Sequence, residues 1–290
     1  MLKLGIITPV LSLFPGAHGQ WERDGTIDDV RTVAGAADRL GYEFLTCSEH
    51  VAIPADAVTR SGGRYWDPLA TFGYLAAHTT RIRFATVVLV LPYHHPLDIA
   101  KRYGTLDRIC GGRLVLGVGA GYLEPEFEVL GVPFAGRNVR TDDAIAALRA
   151  AFGRPEPVYE GPCYRFGAMV VDPCGVQEDI PIWVGGRTRR SLRRAVELGD
   201  GWCPFAVTPG QVATWLKDAA ATDSWQQRTR PLEIVLGTRL DPLGAPDTAI
   251  AAAEELRQAG ATALSLRFVH ESRQHYLEQL EAMMAVRARL

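Results

Sequence analysis

Lysine is nearly missing from this chain: Lys3, Lys101 and Lys217 are the only three among 31 basic residues, the rest being arginine. Charge of one sign is not in excess either, since 33 acidic residues leave a net charge of −2. That balance argues against nucleic acid or an acidic membrane surface as a partner. No apolar run approaches the length that spans a bilayer. The five cysteines (Cys47, Cys110, Cys163, Cys174, Cys203) contain no C-x-x-C pair and are odd in number, which fits reduced thiols and speaks against a structural zinc site. A G-x-S-x-G elbow and a Walker-type loop are both missing. Met1-Leu2-Lys3 runs straight into a strand-like stretch with no signal peptide, so a soluble cytoplasmic protein is expected.

What is present is an alternation. Eight runs read as buried parallel strands, each followed by a helical pattern: Leu4–Val10, Phe44–Glu49, Ile82–Leu91, Leu114–Gly119, Ile182–Gly185, Gly201–Phe205, Ile234–Thr238 and Ala263–Phe268. With 290 residues and 47 % apolar content, this predicts one α/β domain over residues 1–290, a (β/α)8 TIM barrel with rim insertion loops. The long loops Leu11–Gly25 and Val51–Tyr65 follow the first two strands, on the rim where barrels carry their chemistry. The segment Gly153–Pro181 contains a short hairpin, Val158–Glu160 against Tyr164–Phe166. Chain direction predicts that it covers the barrel floor.

Candidate functional residues sit at the strand tips. Gly185-Gly186-Arg187-Thr188 joins a strand to a helix start, where bare backbone and exposed N–H groups favour a phosphate. Arg189, Arg190, Arg193 and Arg194 follow; for Arg193 and Arg194 a solvated face is expected. Gly117-Val118-Gly119-Ala120-Gly121 fails the dinucleotide fingerprint, because Tyr122 stands where its third glycine belongs. The small residues Gly119 and Gly121 instead leave room for a flat ring against the backbone, or for tight packing. Glu49 and His50 are a candidate acid and base, although neighbours on a strand point to opposite sides. His94 and His95 precede Pro96 as caps of the third helix. Glu124, Glu126 and Glu128 are expected to be solvated acids at a helix start, with no histidine at metal-ligand spacing.

Taken together and in order, Ser48-Glu49-His50, Thr86–Pro92, Leu116–Tyr122, Pro181–Gly186 and Leu198–Trp202 resemble the bacterial luciferase-like monooxygenase superfamily of flavin and deazaflavin oxidoreductases. Within it the chain is most similar to the small single-domain branch that uses the deazaflavin coenzyme F-420. The resemblance implies a ring in the barrel mouth, backed by a third-strand bulge at Val88-Leu89 that often carries a non-prolyl cis peptide. It places the coenzyme phosphate on the Gly185–Thr188 turn and His50 beside the reactive ring carbon. Tyr122 joins Val88, Leu89, Gly119, Gly121, Gly185, Gly186, Arg187 and Thr188 as candidate coenzyme contacts. The implied activity is hydride transfer between F-420 and a small organic substrate, the arginines beyond Gly186 meeting the acidic tail of F-420. One alternative is an FMN-dependent monooxygenase served by a separate reductase; another is a flavin-binding barrel without catalysis. The resemblance also implies a homodimer, and Leu69, Phe72, Leu75 and Ala76 offer a candidate surface.

Overall fold

The computed structural model describes residues 2–290. Eight parallel strands close on themselves: β1 (Lys3–Ile7), β2 (Phe44–Cys47), β3 (Arg83–Thr86, resuming as Leu89–Val90), β4 (Leu114–Gly119), β5 (Ile182–Gly186), β6 (Gly201–Pro204), β7 (Glu233–Leu240) and β8 (Ala263–Phe268). Closure runs from β8 to β1 and from both arms of β3 to β4. The outer layer comprises α1 (Ile27–Leu40), α2 (Pro68–Ala76), α3 (Pro96–Ile109), α4 (Arg137–Ala151), α5 (Arg189–Leu198), α6 (Pro209–Ala220), α7 (Pro246–Gln258) and α8 (Arg273–Arg287). None of the described helices is long and apolar enough to cross a membrane.

Two apolar clusters follow from the alternation of side chains along each strand. Leu4, Ile6, Leu45, Leu116, Ile182, Val184, Trp202, Leu264 and Leu266 pack outward under the helices. Phe44, Ala85, Val115, Trp183, Cys203, Val235 and Ala263 fill the lumen instead. Phe44 and Trp183 meet edge to face with centroids 5.0 Å apart. A Cβ on Gly5 would lie 2.2 Å from the Phe44 ring, so glycine there is what lets the ring lie across the lumen. Trp183 Nε1 donates to Glu233, which also pairs with Lys3, at the N-terminal ends of β7 and β1. The floor is thereby plugged, and the opposite end is left as the mouth.

Local chemistry sets the helix ends. Asp29 accepts the Thr26 amide at 2.8 Å to open α1, and Gly41, at φ 81°, closes it. α3 begins with Pro96, and the ring of His95 accepts the Leu97 amide. His95 is therefore a cap, as its place before a proline suggests, whereas His94 turns to Glu49.

The run Ile82–Leu91 is interrupted where the resemblance implies a bulge: pairing stops after Thr86, the Val87–Val88 peptide is cis, and pairing resumes at Leu89. Two other expectations are corrected. The hairpin Tyr159–Glu160/Arg165–Phe166 forms, but it lies against the outer helices instead of the barrel floor. The Asp143 carboxylate of α4 draws it there, accepting the Cys163 and Tyr164 amides and the Tyr159 hydroxyl. Tyr164 and Phe166 stack by His95, at the rim end of α3. Finally, Phe72, Leu75 and Ala76 of α2 are buried in the molecule's own core, with Leu69 packed partly against it, so this face is already used.

Candidate active site

β2 delivers the site by parity. Phe44 faces the lumen while Leu45 and Cys47 face the helices. Continuing the alternation sends Ser48 and His50 toward the mouth and Glu49 outward. The Glu49 carboxylate accepts the Val90 amide at 2.7 Å and lies 2.7 Å from His94 Nε2. Its own amide donates to Val88 O, and Ser48 Oγ donates to Val87 O at 2.7 Å. Ser48 and Glu49 together hold the interrupted third strand, and Glu49 is turned away from His50.

The acid beside His50 is Glu126. His50 Nδ1 lies 2.8 Å from Glu126 Oε2, which also accepts the Tyr93 hydroxyl at 2.9 Å. Glu126 Oε1 accepts the amides of Val51 at 2.5 Å and Ala52 at 3.2 Å. Its side chain is wholly buried. Burial opposes its ionisation, but the His50 contact and the two amides outweigh that and hold its pKa below the ordinary range. A carboxylate can only accept, so Nδ1 carries a proton, while Nε2 has no partner among the described residues. The rings of Tyr65 and Tyr122 flank the imidazole at 4.5 and 6.0 Å between centroids. Burial, reinforced by Tyr122, pushes the Tyr65 phenol up to about 12, so it stays neutral.

Glu126 was expected to be a solvated acid. Its short helix, Glu124–Val129, exposes Glu124 and Glu128 but buries Glu126 with Phe127. The signal was in the spacing: Leu123, Glu126, Phe127 and Leu130 share one helical face, and a lone acid on an apolar face needs a partner. Gly121 brings this helix into place. Its φ is +73°, and a Cβ there would lie 2.7 Å from the Phe127 ring.

Gly119 and Gly185 have a specific use. A Cβ on Gly119 would meet Val88 Cγ2 at 2.8 Å, and one on Gly185 would meet Val88 Cγ1 at 2.5 Å. The Val88 side chain therefore seats in the notch between β4 and β5 and remains half-exposed to the mouth. Leu89 points away, fully buried in the outer core. Gly186 takes φ +145°, and a Cβ there would lie 2.6 Å from Ser191 Cβ, so the turn into α5 must stay bare. Thr188 O accepts the Ser191 amide and hydroxyl, while its side chain is exposed and makes no cap bond.

The arginines of α5 are largely committed. Arg189 pairs with Asp218 at 2.6 Å and Arg190 with Asp142 at 3.6 Å. Arg194 is buried against Asp142 and Asn138, contrary to the solvated face expected of it. Arg187 alone of the group near the turn has no ion partner among the described residues; its guanidinium lies 6.0 Å from the Phe205 ring centroid. A hollow of about 430 Å³ beside Arg189, Leu192 and Trp215 opens between α5 and α6, in the outer layer and not at the strand tips.

Over the mouth, the two rim loops are clasped together. Ser12 bridges Tyr65, Trp66 N donates to Leu11 O, and Arg64 donates to the carbonyls of Glu22 and Arg23. Glu22 is buried and accepts the amides of Val10 and Gly19, each at 2.7 Å. Beside it, His270 accepts from Trp21 Nε1 at 2.9 Å, which fixes a neutral tautomer. Burial and then nearby Arg239 lower the His270 pKa to about 4. Between pH 6.5 and about 4 the unfolded imidazole binds a proton that the folded one refuses, so stability falls with pH across that window and levels off below it. The loss should be on the order of 3 kcal/mol. Urea unfolding from pH 7 to 4 measures it; a His270→Asn variant with the same pH slope would contradict the assignment.

Comparisons with known proteins identify the fold and the family. An uncharacterized protein of Mycobacterium tuberculosis is 31% identical over 214 residues, covering 70% of this chain and 74% of its own. An F-420-dependent secondary alcohol dehydrogenase, solved with an F-420–acetone adduct, superposes with a TM-score of 0.78 at 14% identity, over 98% of this chain and 99% of that one. The oxygenating constituent of 3,6-diketocamphane monooxygenase from Pseudomonas putida, solved with FMN, gives 0.76 at 17% identity, over 98% and 97%. At these identities the two structures speak for the fold. Residues 8–288 match the model of the luciferase-like monooxygenases, and the chain belongs to that family.

Proposed function

We propose that the protein is an F-420-dependent oxidoreductase exchanging a hydride with a small organic substrate, with His50 as its acid–base. The observation that carries the reading is the buried Glu126–His50 contact of 2.8 Å at the mouth. The residues present fit a flavin-type ring with a phosphate: Val88 would back the ring, and the bare turn at Gly186 with Arg187, which has no ion partner among the described residues, would hold the phosphate. When bound, the coenzyme supplies or accepts the hydride.

The chain's own residues then have definite tasks. His50 Nε2 takes the proton from a reacting hydroxyl, or returns it to a carbonyl oxygen in the reverse direction. Glu126 keeps the proton on Nδ1 and stabilises the imidazolium while it lasts. Tyr65 and Tyr122 border the imidazole, and the clasped loops limit water at the mouth.

A second reading, an FMN-dependent monooxygenase fed by a separate reductase, is favoured by one feature. The α5 arginines are held in ion pairs and leave Arg187 beside a single phosphate site, which is all that FMN requires. Fluorescence and absorbance titrations of both coenzymes at low salt decide between them. The expected result is saturable F-420 binding, tighter than that of FMN. Tight FMN binding with no detectable F-420 binding would transfer the assignment to the monooxygenase.

A further inference from the structure

β7 and β8 place two arginines side by side at the mouth. In their parallel register Arg239 stands opposite Arg267. The same parity that sends Leu264, Leu266 and Phe268 to the outer core sends Ser265 and Arg267 toward the lumen side, where Ala263 begins the row. On β7, Val235 faces the lumen and Gly237 and Arg239 continue that row upward. Gly237 carries no side chain beneath the pair, and the space a Cβ would fill there is nearly open, its one near neighbour being Ser265 O at 3.8 Å.

The two cations are under-used. Arg267 is half-buried, and its side chain has no hydrogen bond or ion pair among the described residues. Arg239 has a single hydrogen bond there, to Gly16 O at 3.2 Å. The nearby carboxylate, Glu22, is already occupied by the amides of Val10 and Gly19 and by His270. Below Arg267 on the same row, the Ser265 hydroxyl is buried with no hydrogen-bond partner among the described residues. Buried polar atoms without partners are rare. Burial pulls the Arg267 pKa down and Glu22 only partly restores it, so an added anion would relieve a real cost. Tyr65, which adjoins His50, is among the groups that act electrostatically on Arg267. The pair therefore lies near the acid–base, two and three strands beyond the proposed phosphate turn on β5.

We infer that Arg239 and Arg267, with the Ser265 hydroxyl, form an oxyanion subsite that selects substrates bearing a carboxylate, sulfonate or phosphate. Paired guanidinium groups suit an oxyanion that presents two or more oxygens, each bond being charge-assisted. The inference deepens the proposed function and rests on the barrel mouth being the coenzyme site. It distinguishes this mouth from one built only for apolar or neutral substrates.

The test uses benzoate and its neutral isostere benzamide, titrated calorimetrically into the full-length protein, alone and with whichever coenzyme binds. Benzoate should bind saturably and at least about 10-fold tighter than benzamide. Arg267→Met and Arg239→Met should each weaken benzoate by about 10- to 100-fold, leave benzamide unchanged and keep coenzyme affinity within about twofold. Arg267→Lys should recover part of the loss, and Arg239, exposed on the rim, gives a variant whose folding is not at stake. Benzoate binding no tighter than benzamide, or unchanged in both variants, would overturn the subsite. Loss of coenzyme affinity with benzoate unaffected would overturn it too, by assigning the pair to the acidic tail of the coenzyme. Failure of the coenzyme reading looks different: neither coenzyme would bind, while the benzoate preference and its loss in the variants would persist.

Discussion

His50→Ala is expected to slow turnover by roughly 10²–10⁴-fold, the range in which a positioned acid–base contributes. Coenzyme affinity should change far less, because the proposed phosphate turn lies on β5 and the imidazole on the loop after β2. The comparison is between steady-state rates of wild type and variant on one substrate, with coenzyme titrations alongside. Full activity in the variant would return His50 to a structural part. Glu126→Gln separates the two members of the contact. An amide can still face Nδ1, but it cannot stabilise an imidazolium, so the pH dependence of kcat should shift as well as its size. Loss of Glu126 by truncation to alanine would also free the Val51 and Ala52 amides and confuse loop collapse with catalysis.

Gly186→Val is expected to weaken coenzyme binding by about 100-fold or more. The backbone at φ +145° is one that a side chain rarely adopts, with a cost on the order of 1–3 kcal/mol. The added Cβ would also strike Ser191, whose hydroxyl ties Thr188 O and accepts the Trp202 indole N–H at 3.1 Å. The strain falls on the first turn of α5, where the N–H groups would face the proposed phosphate. The barrel itself should survive, since β5 is paired on both sides upstream of the turn. Thermal melting checks the fold, and fluorescence titration checks the affinity. An unchanged affinity for both F-420 and FMN in a folded variant would remove the phosphate from this turn.

The sequence by itself determined the frame. Eight β-branched or apolar runs, each followed by a 3.6-period pattern, admit few arrangements other than a closed barrel, because every strand must be covered on both faces. Parity then already separated Glu49 from His50, and the glycines at 119, 185 and 186 marked where backbone had to come close to something. The family resemblance added the interruption of the third strand at Val88.

What that something was, only the tertiary structure decided. Gly119 and Gly185 proved to admit Val88, a contact between three strands that no local pattern encodes. Glu126 became the partner of His50 although 76 residues separate them, because the Gly121 turn and the burial of Phe127 swing a short helix over the loop after β2. The α5 arginines looked available in the sequence but are claimed by Asp142 and Asp218, which lie on α4 and α6. Arg239 and Arg267, unremarkable as residues of two separate strands, became a pair only through the β7–β8 register. In each case the deciding quantity is distance between side chains remote in sequence, fixed when the barrel closes.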